Sequence, residues 1–270
     1  MFNVVHVDEK WFYMTKESKR YYLHPEEEQP LRTCKSKKFI AKVMFLAAVA
    51  RPQFDCSYYR EFDGKIGIFP FVLKEPTKRN SKNWIAGTLE TKPILSVAKE
   101  VYKEPTKRNS KNWIAGTLET KPILSVAKEV YRRCLIEKVL LAIHSKWPRE
   151  NGTEIFIQQD NAKPHINPID SEFIEAASMD GFDIHLLFQP PNSPDMNVLD
   201  LGYFRAIQSL QHQEAPKTID ELILAVEKPF DQLSTESLKN VFLTLQSCMV
   251  EVMKNLGENN YKCRTLESII

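Results

Sequence analysis

The sequence has few features of a zinc-cluster protein, a membrane protein or a strongly basic nucleic-acid-binding protein. None of its cysteines lie close enough together to form a CxxC pair, which argues against a zinc cluster; they are Cys34, Cys56, Cys134, Cys248 and Cys263. No window of about 18 apolar residues is present, so we expect no membrane-spanning segment. The net charge is only +2, so charge alone does not indicate a nucleic-acid partner.

The composition is that of an ordinary globular protein. Of the 270 residues, 43% are hydrophobic and 27% are charged, which is enough apolar material for a core. This length allows one large domain or two small ones. We interpret the densest basic runs as solvated loops rather than phosphate-binding tracks; they occupy residues 35–38, 78–82 and 107–111. The sequence has no recognisable secretory signal, which favours a cytosolic or nuclear protein.

A tandem repeat interrupts the middle of the chain. Residues 74–102 and residues 103–131 have the same sequence letter for letter, KEPTKRNSKNWIAGTLETKPILSVAKEVY. Structural repeats normally diverge and need about three or more units to bury a continuous core, so this pair indicates a recent segmental duplication. We expect the extra segment to protrude from the surface, since loop-closure entropy grows slowly with length. Without one copy the chain would have 270 − 29 = 241 residues.

Hydrophobic periodicity predicts strands first, with helices interleaved and then stacked at the end. The predicted strands cover residues 3–7, 20–24, 41–50, 66–72, 154–158 and 182–188. Helices are predicted over residues 124–146, 170–179, 219–233 and 237–256, and another is predicted to begin at Ser193, because a serine N-cap followed by Pro194 is a helix start signal. This order predicts an α/β fold in which helices flank a mixed sheet, with a helical part at the C-terminus.

Two of the predicted strands run directly into aspartates. VVHVD ends at Asp8, and IFIQQD ends at Asp160. Carboxylates at the ends of neighbouring strands can converge at one edge of a sheet, where open α/β sheets bind ligands. Close carboxylates repel each other, so such a pair favours a divalent cation, and oxygen ligands favour magnesium or manganese over zinc. Taken singly, either aspartate is also explained as a polar residue in a loop after a strand.

A third carboxylate is expected from the helix that follows Pro194, and two residues compete for that role. Asp195 and Asp200 are five residues apart, which on a regular helix turns them by about 140° relative to each other, so they cannot face one site together. Asp195 lies in the first turn, where the helix dipole already favours a negative charge. Asp200 lies beyond that turn, beside apolar residues, so we choose Asp200.

Three blocks of the sequence resemble the catalytic blocks of plant mariner-like DNA transposases. They are VHVDEKWFYM at 5–14, IQQDNAKPH at 157–165 and QPPNSPDMNVLDLGYF at 189–204. Further similar stretches lie at 31–55, 64–72 and 241–254, so the resemblance covers nearly the whole chain. The interval from Asp160 to Asp200, with an aspartate in third place, is the form typical of the plant branch.

The resemblance implies a ribonuclease H-like catalytic domain for cut-and-paste transposition. It implies Asp8, Asp160 and Asp200 as the catalytic and metal-binding triad, with Mg²⁺ or Mn²⁺ as the cofactor, as two ions. The expected partner is DNA, through the terminal inverted repeats of the element, together with a possible second copy of the chain; we expect a nuclear protein. Family members carry helix-turn-helix modules before the first catalytic strand, and here the strand starts near Met1, so we expect a catalytic domain that is not autonomous.

Other residues and other functions remain open at this stage. Asn161 and His165 are candidate DNA contacts, although a histidine beside a loop proline is more often a surface group. Trp11 and Phe12 could stack on bases, although core packing is the simpler interpretation. Two alternatives to catalysis are an inert transposon-derived fragment and a domain reused for protein interaction through the helix at 237–256.

Overall fold

The computed structural model describes residues 1–14, 40–55, 59–76, 89–93, 101–105, 118–122, 128–149 and 152–257. The strands are β1 Val4–Tyr13, β2 Lys42–Ala50, β3 Gln53–Asp55, β4 Arg60–Phe62, β5 Lys65–Pro70, β6 Val72–Pro76, β7 Leu89–Pro93, β8 Val101–Pro105, β9 Leu118–Pro122, β10 Glu154–Gln159 and β11 Asp183–Phe188. The helices are α1 Lys128–Cys134, α2 Leu141–Lys146, α3 Ser171–Ala177, α4 Phe204–Gln211, α5 Ile219–Gln232 and α6 Thr235–Lys254. The π-helical segment Leu135–Leu140 joins α1 to α2, and a second, Leu199–Tyr203, leads into α4.

Five strands form one mixed sheet in the order β11-β10-β1-β2-β5. The strands β10 and β11 run parallel to β1, whereas β2 is antiparallel to both β1 and β5. The central strand β1 outlasts its parallel neighbour, since β10 pairs only with Val4–His6, while β2 pairs with β1 as far as Tyr13. The residues of β1 after His6 therefore extend past the end of the β1–β10 ladder.

Alternating side chains of the sheet build two separate apolar cores. On one face, Val5 and Val7 of β1 belong to a cluster with Tyr131, Leu135 and other residues of the α1–α3 region. On the other face, Phe12 belongs to a cluster supplied by the C-terminal helices, including Phe204, Val226 and Phe242. Because successive residues of a strand point to opposite faces, Asp8 shares the face of Phe12, and Glu9 shares the face of Val7.

The predicted order of strands and helices is confirmed across the described residues. The strand predicted for 41–50 is β2, and the one predicted for 66–72 corresponds to β5, an edge strand that ends at Pro70. The first strand is longer than predicted, because it continues from Val7 to Tyr13. The strand predicted for residues 20–24 lies outside the described residues. Within the described part of the chain, no helix is both long enough and apolar enough to cross a membrane.

The helix predicted to begin at Ser193 forms differently. Pro194–Met196 is a short 3-10 turn, and the Ser193 side chain makes no capping hydrogen bond to it. The backbone is extended at Asn197, whose side-chain oxygen accepts from the Leu199 amide at 3.0 Å. Asn197, rather than Ser193, therefore satisfies an amide at the start of the main helix, as asparagines commonly do.

The two repeat copies form equivalent hairpins. In the first copy, β6 pairs with β7 so that Lys74 faces Thr91, and in the second copy β8 pairs with β9 so that Lys103 faces Thr120. The register is the same at equivalent positions of the two copies, and each hairpin is a two-stranded sheet outside the central one. The added segment thus extends the chain without adding a strand to the five-stranded sheet.

The ends of the two copies adopt different structures despite their identical sequence. Val101 and Tyr102 begin β8, whereas their counterparts Val130 and Tyr131 lie in α1. Because their local sequences are identical, intrinsic propensity cannot explain why one segment is a strand and the other a helix. The residues that follow each segment must determine the difference. After Tyr131 the chain continues into apolar residues that are buried in the core, which include Cys134, Leu135 and Val139.

Deleting one copy of the repeat should leave the fold intact. Removing residues 74–102 or residues 103–131 gives the same 241-residue protein, since 270 − 29 = 241. Halving the length of the connection between β5 and α1 lowers the entropic free-energy cost of closing this loop by about 0.6 kcal/mol. We therefore expect thermal unfolding about 1–3 °C higher than in the full chain, measured by calorimetry or circular dichroism. A loss of cooperative unfolding would contradict this assignment of the repeat.

The two equivalent tyrosines provide a test of which copy supplies the helix. Tyr131→Ala removes a buried ring and should destabilise the protein by about 3–5 kcal/mol, the usual range for large aromatic truncations. Tyr102→Ala changes the same local sequence in β8 and is the matched comparison for the helical copy. Urea denaturation of both variants measures the difference, and equal losses would show that the assignment of the copies is wrong.

Candidate metal centre

Asp8 lies on β1 just past the end of the β1–β10 ladder and faces the C-terminal helices. Its Oδ1 accepts a hydrogen bond from the Glu9 amide at 2.7 Å, and its Oδ2 accepts one from Asn197 Nδ2 at 3.3 Å. The strand is held on its other side by β2, where Ala47 is the partner of Asp8. The carboxylate is therefore anchored in the most central strand of the sheet.

Asp160 directly follows β10, so it lies at the same end of the β1–β10 strand pair as Asp8. Its Oδ1 accepts from the Ala162 amide at 2.8 Å and lies 2.8 Å from Nδ1 of His165. Its side chain is 39% exposed, so a ligand can reach it from solvent. The strands β1 and β10 are parallel, and His6 pairs with Gln158 at the end of their ladder. Asp8 and Asp160 therefore both lie two residues beyond the last paired residues.

Asp200 comes to this edge from the second π-helical segment, Leu199–Tyr203, and is exposed. That segment packs on β1 and is capped by Asn197, the residue that also donates to Asp8. Asp195 lies in the preceding 3-10 turn. The rotation of about 140° between Asp195 and Asp200 applies only to one regular helix, and the extended backbone at Asn197 interrupts the helix between them.

The electrostatics of Asp8 show how close these acidic groups are. The pKa of Asp8 is raised from its ordinary 3.8 to about 8, first by burial and then by the charges of Asp200, Glu9 and Asp160 in that order of importance. The Glu9 amide opposes the shift by donating to the carboxylate. A carboxyl group with this pKa is stabilised in its ionised form by a nearby cation, so the surroundings of Asp8 fit a divalent ion bound through oxygen.

The three aspartates do not meet the distance expected for ligands of a single ion. Among the described residues, Asp8, Asp160 and Asp200 do not form a group with ligand atoms all within 4.8 Å of one another. Two ions about 4 Å apart, each about 2 Å from its ligands, let ligands of different ions stand up to about 8 Å apart. For the three aspartates to share a pair of ions, their ligand atoms would have to lie within this longer distance of one another.

A different acidic group does meet the 4.8 Å distance. Glu154, Asp183 and His185 lie at the beginning of β10 and on β11, and all three are exposed. Glu154 is the first residue of β10 and Asp160 follows the last, so the two groups lie at opposite ends of that strand. This group is thus distinct from the predicted triad.

The other predicted contact residues have different surroundings. Asn161 is exposed, and its Nδ2 donates to the Gln189 carbonyl at 2.8 Å, which ties together the segments that follow β10 and β11. The His165 side chain is only 2% exposed and contacts Glu9 and Asp160, so its ring faces the protein and not a DNA backbone. Phe12 is fully buried, as core packing predicted, whereas Trp11 is half-buried under the Lys42 ammonium group.

Several residues of this site were not predicted from the sequence. Glu9 contacts His165 across 156 residues of chain, and Tyr131 and Gln159 form a buried hydrogen bond behind them. Glu9 stands next to Asp8, but strand alternation places it on the opposite face, so proximity in sequence is no guide. Asn197 carries a local signal, since asparagine two residues before a helical amide is a known cap.

The chain matches no protein-family model and no curated protein. Its structure is similar to that of the pre-cleavage Mos1 transpososome, with a TM-score of 0.59 and 14% identity over 96% of this chain and 57% of that chain. It is also similar to the Mos1 strand transfer complex (TM-score 0.58, 14% identity, 96% of this chain and 56% of that chain). The structure of the Mos1 transposase catalytic domain with raltegravir and Mn is also similar, with a TM-score of 0.51 and 13% identity over 96% of this chain and 86% of that chain.

At these identities the likeness establishes the fold. The mixed sheet with its flanking and C-terminal helices is the ribonuclease H-like fold of the Mos1 catalytic domain, as the sequence analysis predicted. The chain spans little more than half the length of the first Mos1 chain it matches.

Replacing Asp8 with asparagine should stabilise the metal-free protein near pH 8. Since the pKa of Asp8 is about 8 in the folded chain and 3.8 ordinarily, the folded state holds the extra proton, and stability falls as the pH rises between these two values. Asp8→Asn cannot ionise, so it should lose this decline and melt several degrees higher, at about 2–4 °C per kcal/mol. Melting curves in a chelator between about pH 5 and pH 8 measure both slopes.

The same substitution should remove stabilisation by metal. Mn²⁺ bound to the folded state raises the melting temperature of the unaltered protein, and Asp8→Asn should abolish that rise. Asp195→Asn is the matched control, and it should respond to Mn²⁺ as the unaltered protein does. If the melting temperatures of the unaltered protein and of Asp8→Asn change equally with pH, the pKa of Asp8 is not raised in the folded protein.

Proposed function

We propose that this chain is the catalytic domain of a mariner-like transposase that cleaves DNA strands and transfers them in a metal-dependent reaction. The observation that supports this function most directly is the Asp8 carboxylate, which is crowded by Asp200 and Asp160 at the carboxyl edge of a ribonuclease H-like sheet. The fold it shares with Mos1 structures, which include paired-end complexes with Mn and with Mg, supports the same chemistry.

Asp8, Asp160 and Asp200 are the residues that would hold the ions. Each of the three would supply carboxylate oxygens to the ions, and Asp200 and Asp160 both act electrostatically on Asp8. The oxygen-only triad fits Mg²⁺ or Mn²⁺. When two such ions are bound, they activate a water or a 3′-hydroxyl and stabilise the leaving oxygen in phosphoryl transfer.

The protein contributes by fixing these carboxylates before substrate arrives. Asn197 donates to Asp8 and caps the segment that carries Asp200, so one side chain sets the relation between the two ligands. Gln158 Nε2 donates to the Met196 carbonyl at 2.8 Å and joins β10 to the loop before Asn197. Ligands held by hydrogen bonds on rigid elements need little reorganisation when metal binds.

The proposed substrate is DNA, and the proposed site of action is the nucleus. The full family acts on terminal inverted repeats of the element, and the matched Mos1 structures include a complex with the left transposon end. Because this chain spans 57% of a Mos1 chain, end recognition and assembly into a dimer are proposed for the longer family architecture. The aspartate in third place and its interval from Asp160 support assignment to the plant branch as part of this proposal.

One observation favours a second candidate, a domain reused for protein interaction. The helix α6 buries Leu238, Phe242 and Leu245 and exposes Leu243, Val250 and Met253. An apolar outer face on an amphipathic helix is a typical partner surface. This alternative predicts stable folding and partner binding that do not depend on the acidic triad.

Metal-dependent nicking of duplex DNA tests the proposed function. We expect the purified protein to nick supercoiled plasmid in Mn²⁺, and Asp200→Asn to lower the rate by at least about a hundredfold, because a ligand contributes more than its outer partners do. Asp195→Asn is the control on the neighbouring turn and should keep nearly full activity. Gel quantification of nicked plasmid gives both rates.

The outcome separates the two candidates. If Asp195→Asn abolishes nicking and Asp200→Asn does not, the third ligand is assigned to the wrong residue. If the folded protein neither binds Mn²⁺ in calorimetry nor nicks DNA, the catalytic proposal fails and the interaction module remains.

A further inference from the structure

The loop from Asp160 to His165 is closed by buried hydrogen bonds on either side of it. Gln159 Nε2, just before the loop, donates to the carbonyl of Ile166, just after it, at 2.9 Å. The Tyr131 hydroxyl donates to Gln159 Oε1 at 2.9 Å and so fixes the amide that makes this bridge. Breaking one partner of such a buried pair would leave the other unsatisfied, so both bonds favour a single loop geometry. The ends of the loop are thus fixed relative to α1.

His165 lies inside this frame and links two strands. Its ring is stacked on Tyr131, with centroids 4.3 Å apart and an interplanar angle of 26°. Nε2 lies 3.0 Å from Glu9 Oε1 on β1, and Nδ1 lies 2.8 Å from Asp160 Oδ1 and 2.9 Å from the Asp160 carbonyl. Since carbonyls and carboxylates only accept, each ring nitrogen needs a hydrogen for its contact: Nδ1 donates to the Asp160 carbonyl, with Oδ1 also within reach, and Nε2 donates to Glu9.

These contacts divide the two oxygens of Asp160 between two tasks. Among the hydrogen bonds of the described residues, Oδ1 accepts from the Ala162 amide and lies in contact with His165 Nδ1. Oδ2 is the oxygen that this arrangement leaves for a ligand. A carboxylate held by one oxygen has its rotation fixed, and so the direction of its other oxygen is fixed as well.

We propose that His165, held by Glu9 and stacked on Tyr131, is a positioning residue that directs Oδ2 of Asp160 towards the metal centre. This inference rests on the proposed metal-dependent function, and it gives His165 a role in place of the predicted contact with DNA. Hydrogen-bonding partners behind a metal ligand orient it, and their loss typically weakens metal binding about 10–100-fold. Glu9 acts one step further back, because it fixes the ring from the opposite nitrogen.

Two amide substitutions separate the two ends of the imidazole. His165→Asn places an amide nitrogen near the position of Nδ1, so it retains a donor for Asp160 and loses Glu9. His165→Gln places its amide near the position of Nε2, so it retains Glu9 and loses the Asp160 contact. We expect His165→Asn to bind Mn²⁺ within a few-fold of the unaltered protein and His165→Gln to bind one of two ions about 10–100-fold more weakly.

The readouts are Mn²⁺ titration by calorimetry, the number of bound ions by electron paramagnetic resonance, and the melting temperature in chelator. A purely structural histidine would lower the melting temperature of both variants without changing the affinity in the folded protein. His212→Ala, at the C-terminal cap of α4 and outside both acidic groups, is the matched control and should change none of these values. Glu9→Gln provides a second test at the other nitrogen, with an expected few-fold loss for the same ion, as for His165→Asn.

The results distinguish failure of this inference from failure of the proposed function. If the unaltered protein binds Mn²⁺ and Asp8→Asn does not, but His165→Gln binds like His165→Asn, His165 does not position Asp160. If Glu9→Gln binds Mn²⁺ with unchanged affinity, Glu9 does not support His165 in positioning Asp160. This test remains decisive even if both His165 variants fail to fold. If Asp8→Asn binds Mn²⁺ as well as the unaltered protein does, the proposed metal centre and this inference fail together.

Discussion

The confinement of the Asp8 carboxyl group, which is buried beside other acidic side chains, is the constraint on which the arrangement of the site depends. Its pKa is raised to about 8 by burial first and then by the charges of Asp200 and Glu9, and the group could escape both only by moving into solvent, yet β2 pairs with β1 at Asp8 and beyond it. The backbone thus holds together charges that would otherwise separate. Unfavourable interactions of this kind persist only where the surrounding structure over-determines them, and they cluster at functional sites.

The sheet accounts for the meeting of two of the aspartates, and the irregular helix accounts for the third. Parallel pairing of β1 with β10 places Asp8 and Asp160 at one edge. Asp200 follows the 3-10 turn and the extended residue Asn197, in a π-helical segment that packs on β1. The extended residue at Asn197 restarts the helix, and the same side chain contacts Asp8.

Sequence reasoning could predict the strands, the helices and the candidate aspartates because each has a local signal. Strand residues alternate or form apolar runs, and Asp8 and Asp160 follow such runs directly. The choice of Asp200 agrees with its larger electrostatic effect on Asp8, but the helical rotation used to reach it does not describe the structure. Glu9 and His165 could not be paired in advance, since 156 residues separate them and no periodicity connects strand β1 to a loop after β10.

The repeat shows where local sequence stops deciding structure and why the candidate site tolerates the duplication. Tyr102 and Tyr131 end identical segments, but only Tyr131 is followed by the apolar residues that continue a buried helix. The helix therefore forms at the second copy, and Tyr131 reaches Gln159 and His165 from there. Because the duplication ends at the residue that contacts the loop carrying Asp160, the added segment is inserted entirely before α1 continues into the core.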